Sequence, residues 1–154
     1  MGSEVQFTRE GFEKLKAELD ELKGPTRMRI AEAIREAKSH GDLKENAAYH
    51  EAKLNQTRLE SRIAELDKAL LTAKIVEPST AGGAQMGAKV SLLDLDFDEE
   101  LTVKLVGSFE ADPANDLISV ASPLGEALVG RTVGDEVEVK APGGLTRYRI
   151  LSVS

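Results

Sequence analysis

Apolar residues in the first half of the chain recur at helical spacing. Phe12, Leu15, Leu19 and Leu22 follow at intervals of three, four and three, with charged side chains on the other faces. A second stripe runs through Tyr49, Ala52, Leu59, Ile63, Leu66 and Leu70. Facing residues of an antiparallel helical hairpin have numbers that add to a nearly constant value. Phe12 with Leu70, Leu19 with Ile63 and Ile30 with Ala52 each give 82. Leu15 with Leu66 and Leu22 with Leu59 give 81, and Ile34 with Tyr49 gives 83. The fold-back therefore falls on Gly41, inside Ser39-His40-Gly41-Asp42-Leu43-Lys44-Glu45-Asn46. The pattern predicts one helix from an N-cap at Thr8 to about Lys38 and a second from about Leu43 to Ala73. At ~1.5 Å per residue each reaches roughly 40 Å. Gly24-Pro25 interrupts the first, because proline lacks the N–H and crowds the carbonyl four residues back; a kink or local break is expected there.

The second half changes character. Glu77 to Ala84 is rich in turn formers and small residues and reads as a linker. Beyond it, Ala88–Leu95, Leu101–Val106, Leu117–Ala121, Glu136–Lys140 and Tyr148–Val153 carry strand patterns between turn signals. Ser122-Pro123 opens a short helix with a serine cap and proline at the first helical position, and Gly143-Gly144 signals a hairpin. The expected fold is α+β with two domains. A helical hairpin, or coiled coil, spans 1–77; a linker spans 78–84; a small, mostly antiparallel sheet with one short helix spans 85–154.

Charge supports this division. Residues 1–77 carry 14 Lys/Arg against 15 Asp/Glu, while 78–154 carry 6 against 12. The balanced half suits a solvated helix pair, and the net charge of −7 argues against independent duplex DNA binding. No apolar run approaches the ~18–20 residues that span a bilayer, and the N-terminus has no signal-peptide pattern. The absence of cysteine excludes disulfides and thiol chemistry and fits the cytoplasm. Two histidines without cysteine are too few for a closed zinc site.

The fold-back stretch admits two readings. Asp42 as N-cap with Glu45 three residues on makes a capping box, which explains both carboxylates as local stabilisers worth about 1 kcal/mol. Alternatively, two carboxylates at the end of a rigid arm are hard oxygen ligands for Mg²⁺, which accepts one or two carboxylates together with waters and substrate phosphates. Such a pair would act only beside a site already holding phosphates and a first ion. Arg35, Lys38, Lys44 and Lys53 either guide a phosphate backbone toward it or form an ordinary solvated face.

The stretch His40-Gly41-Asp42-Leu43-Lys44-Glu45-Asn46-Ala47-Ala48-Tyr49-His50, with Leu117-Ile118-Ser119-Val120, Ser122-Pro123 and Ala141-Pro142-Gly143-Gly144, resembles the Gre-factor family of bacterial transcript-cleavage factors, specifically its A type. The resemblance covers nearly the whole chain. It implies that the arm enters the secondary channel of backtracked bacterial RNA polymerase. There Asp42 and Glu45 would help hold an active-site Mg²⁺ and orient the attacking water. The polymerase itself would then cleave the extruded RNA near its 3′ end, so the chain would be an accessory factor, not an enzyme. Lys38 and Lys53 occupy the RNA-contacting positions, and Ser122 and Pro123 lie in the segment that docks on the channel rim. The resemblance also implies an FKBP-like C-terminal sheet and a cytoplasmic monomer that touches no membrane. Gly24-Pro25 lies a few residues earlier than the family's proline, and a related inhibitory subgroup lacks the Asp42/Glu45 tip. The rival readings are an autonomous nuclease, a helical-hairpin chaperone or scaffold, and a channel-blocking regulator without cleavage activity.

Overall fold

A computed structural model describes residues 4–154; Met1-Gly2-Ser3, the start of the expected 1–77 domain, lie outside the described residues. By contacts the chain divides into two compact units. One holds Glu13–Thr72, and the other holds Ala73–Ser154 together with residues 4–12.

The first unit is the expected helical hairpin. Helix α1 (Arg9–Glu21) passes through a π-helical turn (Leu22–Thr26) into α2 (Arg27–Lys38), and α3 (Ala47–Leu71) returns. The π turn is the structural answer to Pro25. Widening the turn relieves the clash with the carbonyl four residues back, and the Arg27 N–H reaches the Leu22 carbonyl five residues back. The helix therefore continues through the proline instead of breaking. Leu15, Leu19, Leu59, Ile63 and Leu66 are buried along the seam, as the apolar stripes require, while at the far end Ala69 is buried and the expected Leu70 only half-buried. Towards the fold-back the buried residues are the small Ala37 and Ala52, with Ile30, Ile34 and Tyr49 half-buried beside them. Ion pairs flank the seam: Lys23 with Asp67 at 2.8 Å, Arg27 with Glu60 at 2.9 Å and Arg62 with Glu18 at 3.3 Å. The hydrogen bond to Glu60 also raises the Arg27 guanidinium above its ordinary pKa, so this link stays charged.

The second unit is built on a curled five-stranded sheet of β3 (Lys89–Asp94), β4 (Glu99–Val106), β5 (Leu117–Ser119), β6 (Glu136–Ala141) and β7 (Gly144–Val153). Their order is β5-β4-β3-β7-β6. Alternation along these strands sends Val90, Leu92, Val103, Leu105, Val137 and Ile150 into one core, closed by Leu128 of α4 (Pro123–Leu128). The β6–β7 hairpin turns at Pro142-Gly143, with Gly144 at φ 127°. The sheet is mostly antiparallel, as expected, and β5 adds one parallel step against β4. The chain between them, with a 3₁₀ turn at Pro113–Asn115, is long enough to cross over, and no tight turn forces a hairpin.

The lead-in before α1 is also structured. Strand β1 (Val5–Phe7) pairs in parallel with β2 (Ala73–Ile75). Phe7 is fully buried, edge-on to Phe12 at 6.0 Å and tilted against Phe109 at 6.1 Å. Thr8 caps α1 as expected, accepting from the Gly11 N–H at 3.1 Å. The Glu110 carboxylate in turn takes the Thr8 N–H at 2.9 Å and the Thr8 hydroxyl.

Candidate functional site

The connection between α2 and α3 is an eight-residue loop, and its geometry decides how the two carboxylates are displayed. Helix α2 ends in 3₁₀ fashion, with the His40 N–H on the Ala37 carbonyl at 3.2 Å and the Ser39 hydroxyl on the Glu36 carbonyl at 2.6 Å. Gly41 then takes φ 111°, a left-handed value that glycine adopts without a Cβ clash and that turns the chain out of the helix.

The capping box expected from Asp42 and Glu45 does not form. Asp42 Oδ1 accepts from the Lys44 N–H, two residues on, at 3.0 Å, and Leu43–Glu45 are not helical. The N-cap is Asn46, extended at φ −88° and ψ 95°, whose Oδ1 accepts from the Tyr49 N–H at 3.1 Å. Its Nδ2 also donates to the Ala37 carbonyl at 2.6 Å. Helix α3 therefore starts four residues later than expected. The physical reason is the side-chain amide: it accepts and donates at once, so it caps α3 and ties it to the end of α2, which a carboxylate cannot do.

Asp42 and Glu45 thus share one exposed loop and are not consumed by a helix cap. Asp42 keeps Oδ2 outside the Lys44 bond, and among the described residues Glu45 makes no hydrogen bond or ion pair. Lys38 is the last residue of α2 and leaves its ammonium in solvent. Lys53 lies two turns into α3 and donates to Gln56 Oε1 at 3.0 Å. Arg35 is paired with Glu32 at 2.8 Å, which removes it from the loop's open cations.

Sequence reasoning passed over two residues here. Asn46 fits an N-cap as well as Asp42 does, so the signal was present but outweighed by the capping-box spacing. His50 places Nε2 at 3.2 Å from the Lys44 carbonyl and its ring edge-on to Tyr49 at 5.7 Å.

In the second unit Ser122 caps α4, accepting from the Gly125 N–H at 3.1 Å while its hydroxyl donates to the Ser119 carbonyl at 2.6 Å. Both capacities of the hydroxyl are spent inside the fold. Pro123, at the first helical position, is the exposed member of that pair.

Comparison with known proteins covers both halves of the chain. Residues 5–75 match the family described as transcription elongation factor, N-terminal, and residues 79–154 match transcription elongation factor, GreA/GreB, C-term. The chain is 46% identical over 150 residues to transcription elongation factor GreA of Ruegeria pomeroyi, covering 97% of this chain and 96% of that protein. It is 46% identical over 156 residues to GreA of Thermodesulfovibrio yellowstonii, covering 100% and 99%. Against a crystal structure of GreA factor homolog 1 from Thermus thermophilus, 99% of each chain aligns at 29% identity with a TM-score of 0.44.

Proposed function

The chain belongs to the GreA/GreB family of transcription elongation factors, and from that premise we propose that its hairpin enters the secondary channel of backtracked RNA polymerase and stimulates hydrolysis of the extruded RNA 3′ end. The observation that carries this reading is the fold-back loop. It displays two carboxylates on a short segment closed at its base by Asn46.

The donor set fits a shared Mg²⁺. Asp42 and Glu45 offer hard carboxylate oxygens, as this ion requires. Among the described residues no group of three or more His, Cys, Asp or Glu side chains gathers as a metal cage, so the pair would complete a coordination sphere begun elsewhere. Bound there, the ion would lower the pKa of a water and offset phosphate charge. The chain's own part is to hold two carboxylates in place and to orient the water by accepting its hydrogen bonds. Lys38 and Lys53 lie before and after the loop, where their charge would draw in the RNA backbone. Pro123 would bear on the outer rim of the channel, with Ser122 shaping the turn beneath it. The bond is broken in the polymerase's active centre, so the chain is an accessory factor acting in the cytoplasm.

RNA cleavage in a stalled, backtracked polymerase complex with Mg²⁺ tests this. Wild type is expected to stimulate cleavage and Asp42→Asn to fail while still binding polymerase. Because Asn46 caps α3, the substitution leaves the helix start intact, and the asparagine oxygen still accepts from Lys44. Equal stimulation by both proteins would leave Asp42 with no chemical part. Binding without stimulation by either would mark a channel-blocking regulator.

A further inference from the structure

We propose that His50 is a positioning residue for the fold-back loop, and that its hydrogen bond to the Lys44 carbonyl sets the direction in which the Glu45 carboxylate leaves the chain. This rests on the functional reading above and adds a residue to it. Among the described residues, the backbone of 42–45 makes no hydrogen bond to other backbone, so side chains must hold it. Two of them grip Lys44 from opposite sides. Asp42 Oδ1 takes its N–H at 3.0 Å, and His50 Nε2 meets its carbonyl at 3.2 Å.

A carbonyl oxygen only accepts, so His50 must carry its proton on Nε2. The bond fixes the plane of the Lys44–Glu45 peptide group, from which the Glu45 side chain departs one atom later. The ring itself starts from a rigid base. His50 lies in the first turn of α3, its N–H bonded to the Asn46 carbonyl at 3.1 Å and its ring edge-on to Tyr49. Without the bond this peptide group is free to rotate, and Glu45 samples directions in which it meets no ion.

Two variants of the full chain separate the contact from its surroundings. His50→Phe keeps the ring packing on Tyr49 and removes the donor, whereas His50→Gln places an amide N–H near the position of Nε2. In the free protein, His50→Phe is expected to raise the fast mobility of the Glu45 amide in ¹⁵N relaxation, with helicity unchanged. In the backtracked complex at saturating factor it is expected to lower the cleavage rate roughly three- to tenfold, the range one hydrogen bond spans. The half-saturating concentration should not move, and His50→Gln should restore both readouts. Unchanged Glu45 mobility in His50→Phe would overturn the assignment. So would a His50→Gln variant as impaired as His50→Phe. If wild type fails to stimulate cleavage while Glu45 mobility still answers to His50, the functional reading falls and the tether stands.

Discussion

Asn46 Nδ2 donates to the carbonyl of Ala37 at 2.6 Å, joining the N-cap of the returning helix to the last turn of the outgoing one. The same side chain caps α3 through Oδ1, so its two functions separate by substitution. Asn46→Asp keeps the cap, loses the bridge and sets a negative charge beside the carbonyl end of α2, with an expected cost of about 1 kcal/mol. Asn46→Ala loses both and should cost about 2 kcal/mol. Urea unfolding followed by circular dichroism reads the order wild type, Asn46→Asp, Asn46→Ala.

Two glycines give opposite expectations. A Cβ on Gly125 would lie 1.9 Å from the Ser119 carbonyl oxygen and 2.8 Å from the Val120 Cα. Both neighbours are backbone, so Gly125→Ala must displace α4 and is expected to cost more than about 2 kcal/mol. A Cβ on Gly24 meets nothing within 4 Å. Gly24→Ala should stabilise the helix by about 0.5–1 kcal/mol. Melting temperatures moving in opposite directions would bear this out.

Lys104 of β4 donates to Glu10 in the first turn of α1 at 2.5 Å, and that bond, aided by Coulomb attraction, holds the Glu10 carboxyl below its usual value near 4.5. A lowered folded pKa contributes stability above the unfolded value, and the contribution is lost as pH falls through the folded one. Wild type should therefore exceed Glu10→Gln in stability at neutral pH, with the gap closing in acid and shrinking in high salt. Paired melts across pH measure it.

Ser122 and Pro123 are expected to part company in polymerase binding. The Ser122 hydroxyl is spent on Ser119 and Gly125, so Ser122→Ala should cost about 1 kcal/mol of stability as a lost cap. Pro123→Ala leaves the fold nearly untouched, and any loss of affinity would report contact directly. Competition binding alongside melting distinguishes the two.

The arm was legible because its information is local and periodic. The spacing from Phe12 to Leu70 names both the seam and the fold-back at Gly41. The loop was legible only as composition. Asp42 and Asn46 are equally good caps in a sequence, and the choice rests on which one also reaches Ala37, a contact across nine residues. Strands β1 and β2 escaped notice because three residues carry no period. Their pairing is long-range, as is the parallel step from β4 to β5. His50 gave no signal at all, since its partner is a carbonyl that every residue possesses.

Thr8 and Glu110 are 102 residues apart. During vectorial synthesis the start of α1 leaves the ribosome long before the carboxylate that completes its cap exists. Residues 13–72 have all their helical partners much earlier. The start of α1 thus waits on a partner made 102 residues later, and a nascent chain paused short of Phe109 would carry Thr8 without that carboxylate and Phe7 without one of its two aromatic neighbours, leaving the ring less covered before any chaperone at the tunnel exit.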